Sequence, residues 1–307
     1  MKKVRKRLKP NEAKALGLNV KDREYYSPKK NPRYNITPQQ WHKVKEIREN
    51  TKEAPKTAKI LIFDIETAPT KAYVWGKWKQ NINDCQLIND WFCLTWSAKW
   101  LFDDYVFNDK LTPKEALEQN DRRIMLSIWS LLDEADIIIG HNIKKFDIKK
   151  LNTRFLLHGL NSPSSFLMID TLHHARKQFA FHSNKLDFIA QQLGVGKKVE
   201  HEGFDMWVKC LEGDKEALTK MQVYNDGDIL INEEVYLKLR PYIMPHPNLS
   251  LFLDTDKLVC PSCESEKIKP ISDYTTYANV YTEYRCDNCG NRCRSNKKET
   301  KITPLPR

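Results

Sequence analysis

The 307-residue sequence contains no apolar run approaching the ~20 residues that carry a helix across a bilayer. That argues against a membrane-spanning protein and against a membrane partner. Its basic amino terminus, MKKVRKRLKP, lacks the apolar stretch of a secretory signal. No internal repeat is evident. The cysteines do not read as a disulfide framework either. Five of the eight crowd into the last 48 residues, which suggests a metal site in a reducing compartment. What is present is the composition of a soluble chain, 40% hydrophobic and 30% charged. Against a prior of about 150 residues per domain, the length suits one large domain with appendages, or two domains.

Charge is unevenly placed. Residues 1–57 carry 17 Lys and Arg against 6 Asp and Glu, residues 58–256 carry 24 against 28, and residues 257–307 carry 10 against 6. An acidic middle is flanked by two basic ends. Basic segments attract phosphate backbones by counterion release, without reading sequence. Nucleic acid is therefore the expected partner of at least one end, although a solvated tail is the plainer account of such a run.

The first ten residues, six of them Lys or Arg, read as disordered. Thr37, Pro38 and Gln40 read as a helix start with a capping box, and Trp41, Val44 and Ile47 follow at helical spacing. That helix suits either a DNA contact or a brace on the main domain. From Lys59 the pattern changes. Residues 60–67, ILIFDIET, form a short, branched apolar run and predict a buried strand. Residues 72–78, 91–102 and 105–107 predict further strands, and 113–134 a helical stretch. Residues 136–140 predict a second buried strand. A helix over 145–159 follows, with Phe146, Leu151, Phe155 and Leu156 on its apolar side. Residues 167–169 predict a third buried strand, followed by helices near 171–178, 185–193, 204–211 and 214–239. Strands first, then strands alternating with helices, imply an α/β domain with a mixed sheet and helices on both faces. The expected boundaries are a basic, partly helical extension over 1–57, the α/β domain over 58–247, and a small module over 252–307.

Within the first strand, Asp64 and Glu66 are two residues apart and share a face. Adjacent carboxylates on a buried strand repel and lose hydration, a cost that a cation offsets. Asp147 lies in the first turn of a helix, where the macrodipole alone would favour it. Tyr224 and Asp228 are four apart on a helix and also share a face. Gly227, between them, costs ~1 kcal/mol in a helix interior, tolerable where something must approach the backbone. Asp226 points elsewhere on that helix and is expected to be solvated. His141 is expected to cap or to lie at the surface, and His173 and His174 lack metal-ligand spacing. Asp170, at a strand end, is a candidate for a supporting role near the site.

The motifs Asp64-x-Glu66, Asn142-x3-Phe146-Asp147 and Tyr224-x3-Asp228, in this order, resemble the three exonuclease motifs of the DEDD (DnaQ-like) superfamily. The resemblance covers about residues 58–240. Residues 169–171 and 185–190 are similar to the stretches between that family's second and third motifs. The aromatic-rich segment with Trp75, Trp78, Trp96 and Trp100 is similar to exonuclease-like proteins of phages. Tyr224, with Val223 where the other branch carries histidine, resembles the tyrosine (DEDDy) branch. The resemblance implies a ribonuclease H-like fold and a metal-dependent 3′→5′ exonuclease holding two Mg²⁺ or Mn²⁺. It implies that Asp64 bridges both metals, that Glu66 and Asp228 complete their shell near the attacking water, and that Asp147 serves the second metal. Tyr224 would orient the water. Two hard cations on carboxylate oxygens suit phosphodiester hydrolysis, which must activate water and neutralise charge on two oxygens. Asn142 and Phe146 are candidate substrate contacts. The implied compartment is the cytoplasm of a bacterium or of a phage-infected host.

Cys260-x2-Cys263 and Cys286-x2-Cys289 can clasp the two sides of one tetrahedral Zn²⁺. Cys293 is an alternative to Cys289. Cys85, Cys93 and Cys210 read as ordinary thiols. A segment of ~50 residues builds little core and needs such a staple, so a zinc ribbon with one structural zinc is expected. Its aromatics, with Arg292 and Arg294 as candidate substrate contacts, suit single-strand stacking and phosphate contact. A purely structural or docking module is the other reading. The function expected is therefore 3′→5′ exonucleolytic hydrolysis of DNA, at single-stranded ends. A polymerase domain does not fit in the remaining residues, so the nuclease would stand alone or serve a polymerase or replication protein in trans. The alternatives are an RNA-trimming exonuclease and a non-catalytic nucleic-acid-binding or polymerase-accessory module.

Overall fold

The computed structural model describes residues 57–199, 202–253 and 255–299, with short pieces at 4–7, 15–17, 23–24, 33–36 and 43. Of the helix expected from Thr37 through Trp41, Val44 and Ile47, all but Lys43 lies outside the described residues. Near the amino terminus β1 (Val4–Arg7), β2 (Arg23–Glu24) and β3 (Arg33–Ile36) form an antiparallel sheet in the order β1-β3-β2. Val4–Arg7 is thus a strand rather than part of a disordered tail. A charge run reports on side chains, whereas a ladder needs only backbone donors and acceptors.

The central sheet is built from β4 (Ile60–Thr67), β7 (Cys93–Trp100), β8 (Val106–Lys110), β9 (Ile137–Gly140) and β10 (Leu167–Asp170). The two short strands β5 (Lys71–Ala72) and β6 (Leu87–Asn89) pair in an arm between β4 and β7. The strand order is β10-β9-β4-β7-β8, with β10, β9 and β4 parallel and β7 and β8 antiparallel. This is the mixed sheet expected from the order of elements. The helices are α1 (Pro113–Leu117), α2 (Arg122–Glu134), α3 (Asp147–Leu157), α4 (Thr171–Gln178), α5 (Leu186–Gln192), α6 (Asp205–Leu211) and α7 (Lys215–Leu239). None of the described helices is long and apolar enough to cross a membrane.

Strand alternation sorts β4 between two cores. Leu61, Phe63 and Ile65 pack with Ile124, Ile128 and Leu131 of α2 and with Leu151 and Phe155 of α3. Ile60 and Ile62 face the other way, onto Ile189 of α5 and Ile229, Val235 and Tyr236 of α7. Burying one such side chain stabilises by ~1.5–3 kcal/mol, so a one-residue slip of this strand would be severe. Helix α7 lies across this second face, its amino end capped by the Asp214 carboxylate, which accepts from the Glu216 and Ala217 amides. On the same face β7 presents Thr95, Ser97 and Lys99, and α7 matches each. Gln222 bonds Thr95 and Ser97, and Glu233 pairs with Lys99.

The structure corrects several expectations. Residues 73–78 carry no strand, and their rings are exposed. The helical stretch expected over 113–134 is divided into two helices. Asp121 stands between them, fully buried, and accepts from Cys93 N (2.8 Å), Arg154 Nε (2.8 Å), Arg154 Nη2 (2.6 Å) and His158 Nε2 (2.6 Å). Leu156 is 78% exposed, and Phe146 just precedes α3, also exposed, so only Leu151 and Phe155 of that predicted apolar face are buried. In β10, an edge strand, Leu167 and Met168 are exposed while Ile169 and Asp170 are buried.

The carboxyl-terminal module is a three-stranded antiparallel sheet of β11 (Ile268–Thr275), β12 (Val280–Cys286) and β13 (Arg292–Arg294). It is fastened to the α/β core by the Leu249 amide, which donates to the Pro261 carbonyl at 2.7 Å. Leu249 itself belongs to the second core.

Asp121→Ala should destabilise the protein by about 3–5 kcal/mol in urea denaturation, because Arg154 loses its buried partner. A loss below about 1 kcal/mol would mean that the tie between β7 and α3 carries little of the fold.

Candidate active site

Asp64 and Glu66 continue the Ile60–Ile62 face of β4 to the end of the strand, where α7 crosses it. One carboxylate oxygen from each of Asp64, Glu66 and Asp228 lies within 4.8 Å of the other two. Asp147 is next to this group but outside it. It is buried, and its Oδ1 accepts from the Ile65 amide at 3.3 Å. Helix α3 delivers it after a tight turn that depends on Gly140. A Cβ there would stand 1.9 Å from Ile143 Cγ2 and 3.0 Å from the Phe63 carbonyl. Asn142 follows with φ +75°. The Asp170 carboxylate holds this turn by accepting from the Asn142, Lys144 and His173 amides. Asp170 therefore supports the site from behind.

Four carboxyls in so small and dry a space resist ionisation. Burial raises Asp64 well above its ordinary value, and Asp147, Glu66 and Asp228 add repulsion. Burial, then Asp228, raises Glu66 to about 8. Burial raises Asp147 to about 7 and also raises Asp228. Asp228 Oδ1 is buried without a hydrogen-bond partner among the described residues. Convergent hard oxygens, mutual repulsion and an orphaned carboxylate oxygen together fit a divalent cation.

Two residues that the motifs did not single out complete the cluster. Lys198 Nζ lies 2.5 Å from Asp228 Oδ2 and 3.0 Å from the Tyr224 hydroxyl. Asn225 donates from Nδ2 to Asp64 Oδ2 at 2.7 Å. Asn225 was legible in principle, since it sits three residues before Asp228 and on its face of the helix. Lys198 was not, because it arrives from a loop. Gly227 admits that loop: a Cβ there would stand 2.9 Å from Val199 Cγ2. The close approach that this glycine suggested is made by Val199, the neighbour of Lys198. Asp226 is not solvated as expected. It faces β8 and β7, accepting from Asn108 Nδ2, Ser97 Oγ and Gln222 Nε2.

A cleft of about 700 Å³ opens over the cluster, lined by Asp64, Asn142, Arg176, Lys185, Lys198 and Tyr224, among others. His141 also faces it but is held between Thr171 Oγ1 and the Asn184 carbonyl, and burial lowers its pKa. Burial lowers His174 to about 4, so it remains neutral. The Phe146 ring is exposed near Lys150. Arg292 and Arg294 lie in the carboxyl-terminal sheet and do not line the cleft. Arg292 is held by both Glu283 oxygens, and Arg294 stacks on Tyr281 and Tyr274.

In the carboxyl-terminal module Cys260, Cys263, Cys286 and Cys289 bring their sulfurs within 4.8 Å of one another, and Cys293 stands outside the set. The Cys260–Cys289 and Cys263–Cys286 sulfur pairs are each 3.6 Å apart. Four ligands at the usual Zn–S length form a tetrahedron with edges of about 3.8 Å, so the set fits zinc. Cys93 and Cys210 are buried and Cys85 is exposed, all apart from this set.

In chelator, melting temperature should fall as pH rises from about 5 to about 8. The native state retains protons on Glu66 (about 8) and Asp147 (about 7) that the unfolded chain releases near about 4. Stability from these groups is thus full below the unfolded value and lost as pH climbs through the folded ones. Mg²⁺ or Mn²⁺ should raise the melting temperature more at about pH 8 than at about pH 5, and a gain independent of pH would contradict the repulsion. Elemental analysis should find one zinc per chain, lost in Cys286→Ser and retained in Cys293→Ser.

No curated protein matches the chain. Among solved structures, a family B DNA polymerase from the hyperthermophilic archaeon Pyrobaculum calidifontis is similar, with 17% identity and a TM-score of 0.45 over 62% of this chain. The chain spans only 26% of that polymerase. Residues 98–240 match the profile of the RNase_H superfamily. That match supports a nuclease, and the mixed sheet with its flanking helices is RNase H-like.

Proposed function

We propose that this protein is a metal-dependent 3′→5′ exonuclease of the DEDDy type, phage-like in kind, that hydrolyses phosphodiester bonds at single-stranded DNA ends. The observation that carries the reading is the convergence of Asp64, Glu66 and Asp228 within 4.8 Å, beside Asp147 and Tyr224. The nuclease unit is residues 58–247, the zinc ribbon residues 252–307, and residues 1–57 a basic extension. A polymerase or replication protein is the proposed partner, and the cytoplasm the proposed compartment.

Asp64, Glu66, Asp147 and Asp228 would hold two Mg²⁺ or Mn²⁺ ions, which supply activation of water and neutralisation of developing charge on the phosphate oxygens. The chain's own groups prepare that chemistry. Asn225 fixes the Asp64 carboxylate through Oδ2, and the Ile65 amide fixes Asp147. Burial raises the Tyr224 pKa, so its hydroxyl stays protonated at neutral pH. It therefore serves to orient the attacking water rather than to remove its proton. Lys198 holds that hydroxyl and offsets part of the local negative charge. On the cleft wall Arg176 and Lys185 suit the backbone phosphates, and Asn142 and Phe146 are substrate contacts at its edge. In the ribbon Arg292 and Arg294 are more distant contacts. Arg294, stacked on two tyrosines, offers the planar surface that a base can share.

The purified protein with Mg²⁺ or Mn²⁺ should shorten 5′-labelled single-stranded DNA to a ladder that recedes from the 3′ end. EDTA or Asp64→Ala should abolish this, a loss of at least about a thousandfold, with DNA binding retained. A matched RNA strand in the same gel reads the sugar preference. Cleavage that survives Asp64→Ala, or a ladder receding from the 5′ end, would overturn the assignment.

A further inference from the structure

The segment between β4 and β7 departs from the rest of the surface. After Ala68 the chain leaves the core as the β5–β6 arm and returns at Phe92. Ala68 and Phe92 are buried, and the Ala68 amide donates to the Phe92 carbonyl at 2.8 Å. The arm's backbone is organised. Tyr73 N donates to the Gln86 carbonyl at 2.9 Å, Gln86 Nε2 to the Tyr73 carbonyl at 3.0 Å, and the Asn83 amide to Gln86 Oε1 at 2.9 Å. Yet its rings face water: Tyr73 is 75%, Trp78 83% and Trp75 99% exposed, with Val74 and Ile82 exposed beside them. Large apolar groups left together in solvent mark a contact surface.

Charge identifies the occupant. Residues 67–83 contain Lys71, Lys77 and Lys79 and no Asp or Glu, and the arm's two acidic residues, Asp84 and Asp90, lie on its returning side, so cations are interspersed with rings along the tip. The surface also continues toward the acidic cluster. At the arm's base Trp91 carries Lys150 Nζ over its face at 3.8 Å. A cleft of about 390 Å³, lined by Thr67, Trp91, Lys150, Phe204 and Trp207, follows. Trp207 meets the Tyr224 ring edge-on, with centroids 6.3 Å apart. Every base has a face for stacking and every nucleotide a charge for lysine, so this combination suits an unpaired strand irrespective of its sequence. A protein partner would leave the lysines without counter-charges unless it were acidic.

We infer that the β5–β6 arm is a docking surface for single-stranded DNA, stacking bases on Tyr73, Trp75 and Trp78 while Lys71, Lys77 and Lys79 meet phosphates. The inference rests on the nuclease reading, in which the strand's 3′ end occupies the acidic cleft and the arm holds nucleotides upstream of it.

The test is fluorescence anisotropy of 5′-labelled dT20 and dT3 with the full chain in EDTA. The Trp75→Ala/Trp78→Ala variant should bind dT20 at least about tenfold more weakly than the unsubstituted protein. Trp75→Phe/Trp78→Phe should recover most of that loss. The dT3 strand, too short to reach arm and cleft together, should bind alike in all three. Lys77→Ala/Lys79→Ala should lower the slope of log affinity against log salt by about 1.4, at ~0.7 per phosphate contact on a single strand. Because these side chains are exposed, melting temperatures should match. Binding of dT20 by the alanine variant within about twofold of the unsubstituted protein would overturn the inference and leave the arm to an acidic protein partner. Equal losses for dT3 and dT20 would overturn it as well. Since EDTA suppresses metal-dependent cleavage, arm-dependent binding by a protein that yields no ladder would reject the nuclease reading alone. A ladder with arm-independent binding would reject the arm alone.

Discussion

The repulsion among four carboxyls, two buried and two half-buried, where α7 crosses β4 is the constraint around which this molecule is arranged. Each carboxyl comes from a different demand on the chain. Asp64 and Glu66 occupy positions on β4 that would otherwise extend the apolar face of Ile60 and Ile62. Asp228 interrupts the buried stripe of α7 just before Ile229. Asp147 stands where a buried strand gives way to a helix. A sheet that placed apolar groups at these points would be more stable by several kcal/mol in sum. The surrounding polar groups make the arrangement tolerable without neutralising it: Asn225 and the Ile65 amide each serve one carboxylate, and Lys198 pairs directly with Asp228 among the four. A residual need for positive charge is what remains, and a nuclease acting on a polyanion can use it.

The same crossing accounts for the polar character of the sheet's second face. Thr95, Ser97 and Lys99 of β7 point inward, beneath a helix. Gln222, Asp226 and Glu233 reach down from α7 to meet them, so the interface is a ladder of matched polar pairs beside an apolar patch. Apolar packing alone would permit the helix to slide, because oil-like contacts are weakly directional. Paired hydrogen bonds fix its register, and with it the placement of Tyr224 and Asp228 over β4.

Much of this was legible in the sequence. Strands β4 and β9 announce themselves as branched apolar runs and β7 as an aromatic-rich one, and the four helices after β10 match their expected ranges to within a few residues. The convergence of Asp64, Glu66 and Asp228 was legible chiefly through the resemblance of their motifs, since strand and helix spacing alone left water or a cation as equal partners for the pair on β4. Other features were hidden for physical reasons. The arm's rings look like strand residues, since β propensity describes a half-buried surface and cannot tell that no second surface covers them. The break between α1 and α2 depends on Asp121, whose partners Cys93, Arg154 and His158 are distant in sequence. Lys198 depends on a loop path that only the space above Gly227 makes available. Local pattern reveals what a residue prefers, whereas these positions are decided by what the rest of the chain brings to them.

The amide of Leu249 gives the fold an order of completion. Its side chain packs in the second core, while its N–H donates to the carbonyl of Pro261, inside the first cysteine knuckle. During synthesis the sheet and α7 emerge well before that knuckle, so the last patch of the core waits for the cysteines to leave the ribosome and, on the zinc-ribbon reading, to close around their metal. A nascent chain starved of zinc would therefore keep a frayed seam on the nuclease body itself. Such a seam is the kind of lesion that proteases find first, which would tie the cellular lifetime of the acidic centre to the supply of a metal that it does not use.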